Sequence, residues 1–318
     1  MLQNSSIAVP EIHRQVLKLM GNRFEITVVS EDEVWAQRRI QEAVDEIRRI
    51  EKMLTTFSDD SETSLINANA GVKPVKVSRE VFDIIKRSIR ISDLTSGAFD
   101  ITYGSIDKRL WNFDTTMSSL PDAATAKELV RLINYKRIVL NEKTCSVYLP
   151  ESGMRIGFGG IGKGYTADMA KAKLIKQGVS SGIVNAAGDL TAWGTQPNGK
   201  QWTAGIADPN AKSKAFSMLE ISGSAIATSG NYEKYIVVDG RRYSHTIDPK
   251  TGMPVRGIKS VTVISPIAEF SDAMATPLMV MGIAAGINLI NQIKGVECVI
   301  IDENDRLYTS TNVKVNEL

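Results

Sequence analysis

Apolar residues along the chain follow two periods. Over 24–29, Phe24, Ile26 and Val28 alternate with Glu25 and Thr27, the two-residue period of a strand. From Ile40 the period lengthens. Ile40, Val44, Ile47, Ile50 and Leu54 recur every three or four residues and mark one face of a helix. Val81, Ile85 and Ile89 mark a second helix with Ser78 as its N-cap, and 123–133 reads as a third, capped from Asp122. Two short strands, 137–140 and 145–149, pair across a turn at Asn141, Glu142 and Lys143. A glycine cluster at 157–164 then runs into a helix ending near Gly178. Short strands follow at 183–185, 202–206, 218–221, 225–228 and 235–238, separated by loops rich in Gly, Pro and Asn. A strand at 261–264 precedes one long helix, 271–293, and the chain closes on a strand at 296–301.

Helices and strands are mixed without regular alternation. That predicts an α+β fold, with mixed or antiparallel sheets flanked by helices, over a doubly wound parallel sheet. No linker-like shift in composition divides the chain, so one domain of two intimate subdomains is expected over 15–310.

Composition narrows the classes further. At 318 residues, with 43% hydrophobic and 23% charged residues, the chain is neither disordered, fibrous nor a coiled-coil rod. No repeat of solenoid length is visible. The net charge of +2 argues against a nucleic-acid binder. The basic pairs Arg38-Arg39 and Arg48-Arg49 fall within the first helical pattern and read as its solvated face. Cys145 and Cys298 lie in strand-like runs without CxxC spacing, which predicts two buried thiols in a reducing compartment. Residues 1–10 lack the features of a secretory signal, and no run of about 18 apolar residues occurs. The resulting expectation is a cytoplasmic protein without a membrane span.

Four stretches carry candidate chemistry. The first, Gly157-Phe158-Gly159-Gly160-Ile161-Gly162-Lys163-Gly164-Tyr165, contains a GxGxxG match and is one residue from a P-loop. The dinucleotide reading wants an acidic residue about 20 positions on, where Ser180-Ser181-Gly182 stands. The P-loop reading wants a hydroxyl where Gly164 stands. A strand-to-helix turn that binds another phosphate, and a tight packing of helix on sheet, both stay open. In the second stretch, His245 precedes an Asp248-Pro249-Lys250-Thr251-Gly252 turn. A histidine on a rigid turn suits proton transfer or phosphate contact, and equally suits turn stabilisation. In the third, Asp272 and Thr276 are four residues apart near the start of the late helix, so carboxylate and hydroxyl share a face. Such oxygen donors suit Mg²⁺, while Asp272 as an ordinary helix-start residue is the plain alternative. Fourth, Ser96 to Thr102 and Asn185 to Asp189 each set small residues beside an aspartate at a bend. Trp111 and Trp193 read as core or hinge packing, and His13 as a surface residue.

Taken in order, these motifs resemble the FAD:protein FMN transferase family, also called the ApbE family. The correspondence runs from about Met20 to Asp302. It includes Met20-Gly21-Asn22-Arg23-Phe24, Thr56-Phe57-Ser58 with Leu65-Ile66-Asn67, Gly97-Ala98-Phe99-Asp100, and the glycine stretch with Lys163 and Asp168. It continues through Asn185 to Asp189, Thr228 to Glu233, His245 to Gly252 and Asp272 to Thr276.

The resemblance implies an enzyme that cleaves FAD with Mg²⁺, releases AMP and attaches FMN through a phosphoester to a Thr or Ser of a partner flavoprotein. An FAD pyrophosphatase giving FMN and AMP, or a non-catalytic FAD-binding protein, are the alternatives. It further implies Asp272, Thr276 and a backbone oxygen at Gly160 as metal ligands. Met20, Phe57, Ala98, Phe99, Asp100, Gly157 and Lys163 would line the FAD site. His245 matches a functionally important histidine, with Thr246 and Ile247 beside the nucleotide. His245 and Asp272 are thus the catalytic candidates, with Asp248 as a group that would orient the histidine. Two departures stand out: Gly157 and Asn231 occupy positions where many members carry Asp.

Overall fold

Two paired strands lead into the first helix. β1 (Glu11–Leu19) and β2 (Asn22–Ser30) are antiparallel from Glu11↔Ser30 to Leu19↔Asn22. Their turn, Met20 and Gly21, has φ of 50° and 71°. Positive φ at both central residues gives a turn whose twist matches that of the paired strands. β1 is an edge strand with mostly exposed or half-buried residues, so its apolar signal is weak. His13 lies on it, half-buried, within 3.0 Å of the Ser30 carbonyl. The computed structural model describes residues 9–106, 119–208, 211–231, 235–238, 240–313 and 316–317; Trp111 lies outside them.

The helical period holds in α1 (Glu33–Leu54), whose buried face includes Ala36, Ile40, Val44, Ile47, Ile50 and Leu54. Asp32 caps it, accepting from the Trp35 amide at 2.9 Å. Arg48 and Arg49 pair with Asp45 and Glu46 on the outer side, as expected for a solvated face. Next come α2 (Glu62–Ala68), β3 (Val75–Lys76) and α3 (Arg79–Leu94), the last capped by Ser78. A 3₁₀ turn, Ile101–Ser105, follows. α4 (Ala123–Leu129) is capped by Asp122 and is shorter than its sequence pattern, because residues 130–132 form turns. β4 (Val139–Asn141) and β5 (Ser146–Tyr148) pair as predicted. Cys145 sits in their turn at φ 52°, half-buried rather than buried, whereas Cys298 is buried; both are free thiols.

After α5 (Gly162–Lys176), β6 (Gly182–Ala186) and β7 (Asp189–Trp193) form a hairpin through Ala187 and Gly188, with φ of 56° and 100°. Then follow β8 (Thr203–Asp208), β9 (Ala211–Glu220), β10 (Ala225–Gly230), β11 (Tyr235–Val238), β12 (Arg241–Ser244) and β13 (Ile258–Ser265). The late helical region corrects the expectation of a single helix. It is α6 (Ala268–Met281) and α7 (Ile283–Asn291), divided at Gly282, whose φ of 82° lies outside helical geometry. The last strands are β14 (Glu297–Asp302), β15 (Leu307–Thr309) and β16 (Asn316–Glu317).

The large sheet has the order β1-β2-β6-β7-β10-β13-β14-β15, and every neighbouring pair is antiparallel. Alternation divides its side chains between two faces. Phe24, Ile26, Val28, Val184 and Ala225 pack with apolar residues of α1 and α5. Ile183, Leu190, Ile226, Ile264 and Val299 join Trp202, Leu219 and Ile221 in a separate cluster. Trp193 is core, its indole N–H donating to the Val179 carbonyl at 3.0 Å. The fold is therefore α+β, with antiparallel sheets and flanking helices.

Candidate active site

The site forms at the sheet end that carries the Met20-Gly21 and Ala187-Gly188 turns. Phe24 pairs with Ala186 there, and the Ala187 amide donates to the Arg23 carbonyl at 3.0 Å. Met20, Ala187 and Ser96 are three of the non-glycine residues held at positive φ, a conformation costing about 1–2 kcal/mol each. All three adjoin stretches singled out from the sequence, as strained backbone at functional sites tends to do.

α5 and α6 cap one another. Neither has a capping side chain at its own N-cap, Ile161 and Ile267. Instead Asp168 of α5 accepts from the Ala268 and Glu269 amides of α6 at 3.1 and 2.8 Å. In return Asp272 of α6 accepts from the Gly164 amide of α5 at 2.9 Å. Each carboxylate thus meets the positive end of the other helix. The exchange requires close approach at Gly164. A Cβ there would lie 2.2 Å from the Ala268 carbonyl oxygen and 2.8 Å from the Asp272 Cβ. The missing P-loop hydroxyl has this steric cause.

Asp272 is buried in the second turn of α6, not at its start. Its Oδ1 is 3.6 Å from the Lys163 ammonium, which also pairs with Asp189. Burial, then repulsion from Asp272, pushes the Asp189 carboxyl above its usual range. Burial does the same to Asp272, opposed by Lys163 and the α5 amides. Burial alone would lower Lys163, but the two carboxylates outweigh it and hold the ammonium above its usual range. Two buried carboxylates therefore share one ammonium.

Thr276 follows one turn later and donates to the Ser229 hydroxyl at 3.3 Å. Thr276, Ser229 and Gly160 all line a cavity of about 690 Å³. Carboxylate, hydroxyl and backbone carbonyl are hard oxygen donors of the kind Mg²⁺ takes. Among the described residues, no group of three or more His, Cys, Asp or Glu could hold a metal, so a cation here would depend on such mixed donors.

The same cavity takes in Ala98, Phe99, Asp100, Gly157, His245, Thr246 and Ile247. His245 is held by a pinned hairpin. Ser244 and Thr246 bond with Val255, Asp248 bonds with Met253, and Ile247 bridges Pro254. Gly252, at φ 73°, closes the turn where a Cβ would stand 1.9 Å from the Ala126 carbonyl oxygen. The Asp248 carboxylate accepts from the Lys250 amide at 2.8 Å and the Thr251 hydroxyl at 3.1 Å, so it serves this turn. Asp100 likewise serves the wall. Its oxygens accept from the Thr102 amide and hydroxyl and from the Tyr135 amide at 2.8, 2.6 and 2.9 Å. Burial still pushes its carboxyl upward, against those bonds.

Four predicted residues, Asp272, Lys163, Met20 and Phe57, are not among those lining the cavity. Lys163 sits with Asp189 and Asp272. Met20 accepts at its sulfur from the Thr166 hydroxyl at 3.4 Å. Phe57 is 99% exposed, although its neighbour Thr56 lines the cavity. Lining residues that the sequence reading missed include Tyr103, Gly104 and Arg155. Of these only Arg155 carried a signal, as a cation two residues before the glycine stretch.

Residues 20–300 match the ApbE family. The chain is 34% identical over 295 residues to a Klebsiella pneumoniae protein named FAD:protein FMN transferase, covering 92% of this chain and 90% of that one. It is similar in structure to the ApbE protein of Thermotoga maritima, with a TM-score of 0.84 and 29% identity over 94% of this chain and 97% of that one. It also resembles the flavinyl transferase ApbE of Pseudomonas stutzeri, with a TM-score of 0.83 and 26% identity over 96% of each chain. With a family match over residues 20–300 and 34% identity to a curated relative over nearly the whole chain, the chain belongs to the ApbE family.

Proposed function

We propose that this protein is a Mg²⁺-dependent FAD:protein FMN transferase, one catalytic domain over 15–310, which modifies a Thr or Ser of a partner flavoprotein. One observation carries the reading. A single cavity of about 690 Å³ gathers Ala98, Phe99, Gly157, Gly160, His245, Thr246, Ile247 and Thr276 from four separate stretches of chain.

Phe99 and Ile247 supply apolar surface for a flavin or adenine ring, and the open glycines let main-chain groups approach a phosphate. In the reaction, the acceptor Oγ forms a bond to the FMN-side phosphorus as the bond from that phosphorus to the bridging oxygen breaks. AMP leaves with that oxygen. A hydroxyl is a weak nucleophile until its proton is removed, and His245, on its pinned hairpin, takes that proton. Asp272, Thr276 and the Gly160 carbonyl would hold Mg²⁺, which would neutralise charge on the phosphoryl oxygens. The fit is electrostatic as well as chemical, since among the described residues Lys163 is the one cation paired with Asp189 and Asp272.

The test is incubation with FAD, Mg²⁺ and a candidate acceptor domain. Flavin fluorescence that stays with the denatured acceptor, together with AMP release, is expected. FMN and AMP without labelled acceptor would make the protein a pyrophosphatase, and intact FAD would make it a binder only. His245→Asn is expected to lower kcat by about 10²–10⁴ while leaving FAD affinity within a few-fold. Lost affinity with kcat intact at saturating FAD would make His245 a binding residue instead.

A further inference from the structure

We infer that Arg155 is a phosphate-binding residue that holds the diphosphate of FAD; this rests on the FAD reading above and extends it to a residue outside the family pattern. Arg155 is the one lysine or arginine among the described residues that line the cavity. Its side chain is exposed, and among the described residues no carboxylate pairs with it. Two other cations are occupied, Lys163 by two aspartates and Lys127 by the Lys250 carbonyl.

The root of Arg155 is fixed as firmly as its tip is free. Its amide donates to the Ser105 hydroxyl at 2.8 Å, and that hydroxyl donates to its carbonyl at 3.0 Å. The next residue, Ile156, is clamped both ways by the Asn67 amide at 2.7 and 3.0 Å. Gly157 then donates to the Ile101 carbonyl at 2.9 Å. Gly104 leaves room for this segment, since a Cβ there would lie 3.2 Å from the Arg155 carbonyl oxygen. Three consecutive backbones are thus pinned without using the guanidinium. Beyond it, Gly157 and Gly159 have no atom within 4 Å of where a Cβ would stand, so the space beside the cation is open.

The carboxylate among the described lining residues, Asp100, already accepts from three donors of its own wall, and no ion pair joins it to the guanidinium. A fork of N–H donors that cannot accept, set on a rigid base at an open cavity, matches an oxyanion ligand. The diphosphate is the anionic part of FAD, and pre-organisation of the arginine root lowers the ordering cost of binding it.

The test is equilibrium titration of wild type, Arg155→Ala and Arg155→Lys with FAD, and competition by ADP, adenosine and riboflavin, with Mg²⁺ and again in EDTA. Losing a charge-assisted contact should weaken FAD and ADP about 10- to 100-fold in Arg155→Ala, with Arg155→Lys between it and wild type. Adenosine and riboflavin, which lack phosphate, should bind both variants as they bind wild type. The backbone clamp does not involve the substituted atoms, so thermal melting should be unchanged. Equal FAD affinity in wild type and Arg155→Ala overturns the inference, as does an equal loss for adenosine, which would make the contact one to the base. Failure of FAD to bind wild type would instead overturn the functional reading on which the inference rests.

Discussion

The glycine stretch is two structures joined at Ile161. Its first half, Gly157 to Gly160, lines the cavity with space around it: a Cβ at Gly157 or Gly159 meets nothing within 4 Å, and one at Gly160 meets the Phe99 ring edge at 3.6 Å. Its second half is packed solid. A Cβ at Gly162 would lie 3.3 Å from that of Phe158, and one at Gly164 would overlap α6. Similar composition therefore does opposite work. The first half exposes main chain to the cavity, and the second brings α5 and α6 close enough to exchange caps. The helix-packing alternative holds for the second half, while the first half has the open space that the proposed phosphate turn needs.

Asp272 belongs to the packed half, yet the proposed chemistry also needs it, so it separates the two roles best. Asp272→Asn keeps an oxygen for the Gly164 amide and removes the charge. Turnover should fall roughly 10³-fold, about 4 kcal/mol, with little change in melting temperature. AMP release across a Mg²⁺ titration, beside thermal melts, measures both quantities. Near-normal turnover of the variant at low Mg²⁺ would reduce Asp272 to a helix cap.

Gly164→Ala tests the packed half alone. Overpacking against the rigid Ala268 carbonyl should cost about 3 kcal/mol in chemical denaturation. Cap exchange would be lost with it, since the helices must separate to admit the methyl group. Wild-type stability in this variant would mean that α5 and α6 slide freely past one another and that the contact is not a constraint.

The packed half continues into Tyr165, whose hydroxyl donates to Glu80 at 2.6 Å while Arg49 grips the same carboxylate at 2.8 Å. Arg49, then Tyr165, hold the Glu80 carboxyl below its usual range against the effect of burial. A lowered carboxyl pKa gives stability that is present above the unfolded value, about 4.3, and is lost as pH falls through the folded one. The carboxylate is partly exposed, so Glu80→Gln should cost only about 1 kcal/mol at pH 7. The difference from wild type should shrink towards zero in unfolding measurements near pH 3. A difference that stays constant with pH would show packing, not charge, at this junction.

The same division explains what was legible in the sequence. α1 and α3 were readable because Ile40 to Leu54 and Val81 to Ile89 bury one face and because Ser78 caps its own helix. α6 was misread because its cap comes from Asp168, a hundred residues earlier, and because Gly282 breaks a run whose apolar pattern continues. Motif order singles out Asp272, Thr276 and His245 as candidates, but not the Lys163–Asp189 pairing, since 26 residues of helix and strand separate the partners. Arg155 was hidden for another reason: its place two residues before the glycine stretch is a weak signal, and the chain does not show that no carboxylate among the described residues pairs with it.

The smallest effect, and the one that divides the halves by sign, is expected at Gly159. It lines the cavity, is exposed and does not take a positive φ, so alanine fits its backbone. Replacing glycine by alanine where the conformation allows it restricts the unfolded chain and stabilises by about 0.4–1 kcal/mol. Gly159→Ala should therefore melt at or slightly above the wild-type temperature, opposite to Gly164→Ala. If the open half works by letting main chain approach a phosphate, the added methyl group must still occupy part of that approach, and FAD should bind a few-fold more weakly. Affinity and stability would then move in opposite directions in one variant, which a purely structural turn cannot produce. Calorimetric FAD titration beside thermal melting decides it. Unchanged FAD affinity at Gly159→Ala, with the small gain in stability present, would show that the ligand does not touch this part of the loop and would confine the binding surface to Gly157, Gly160 and the facing wall.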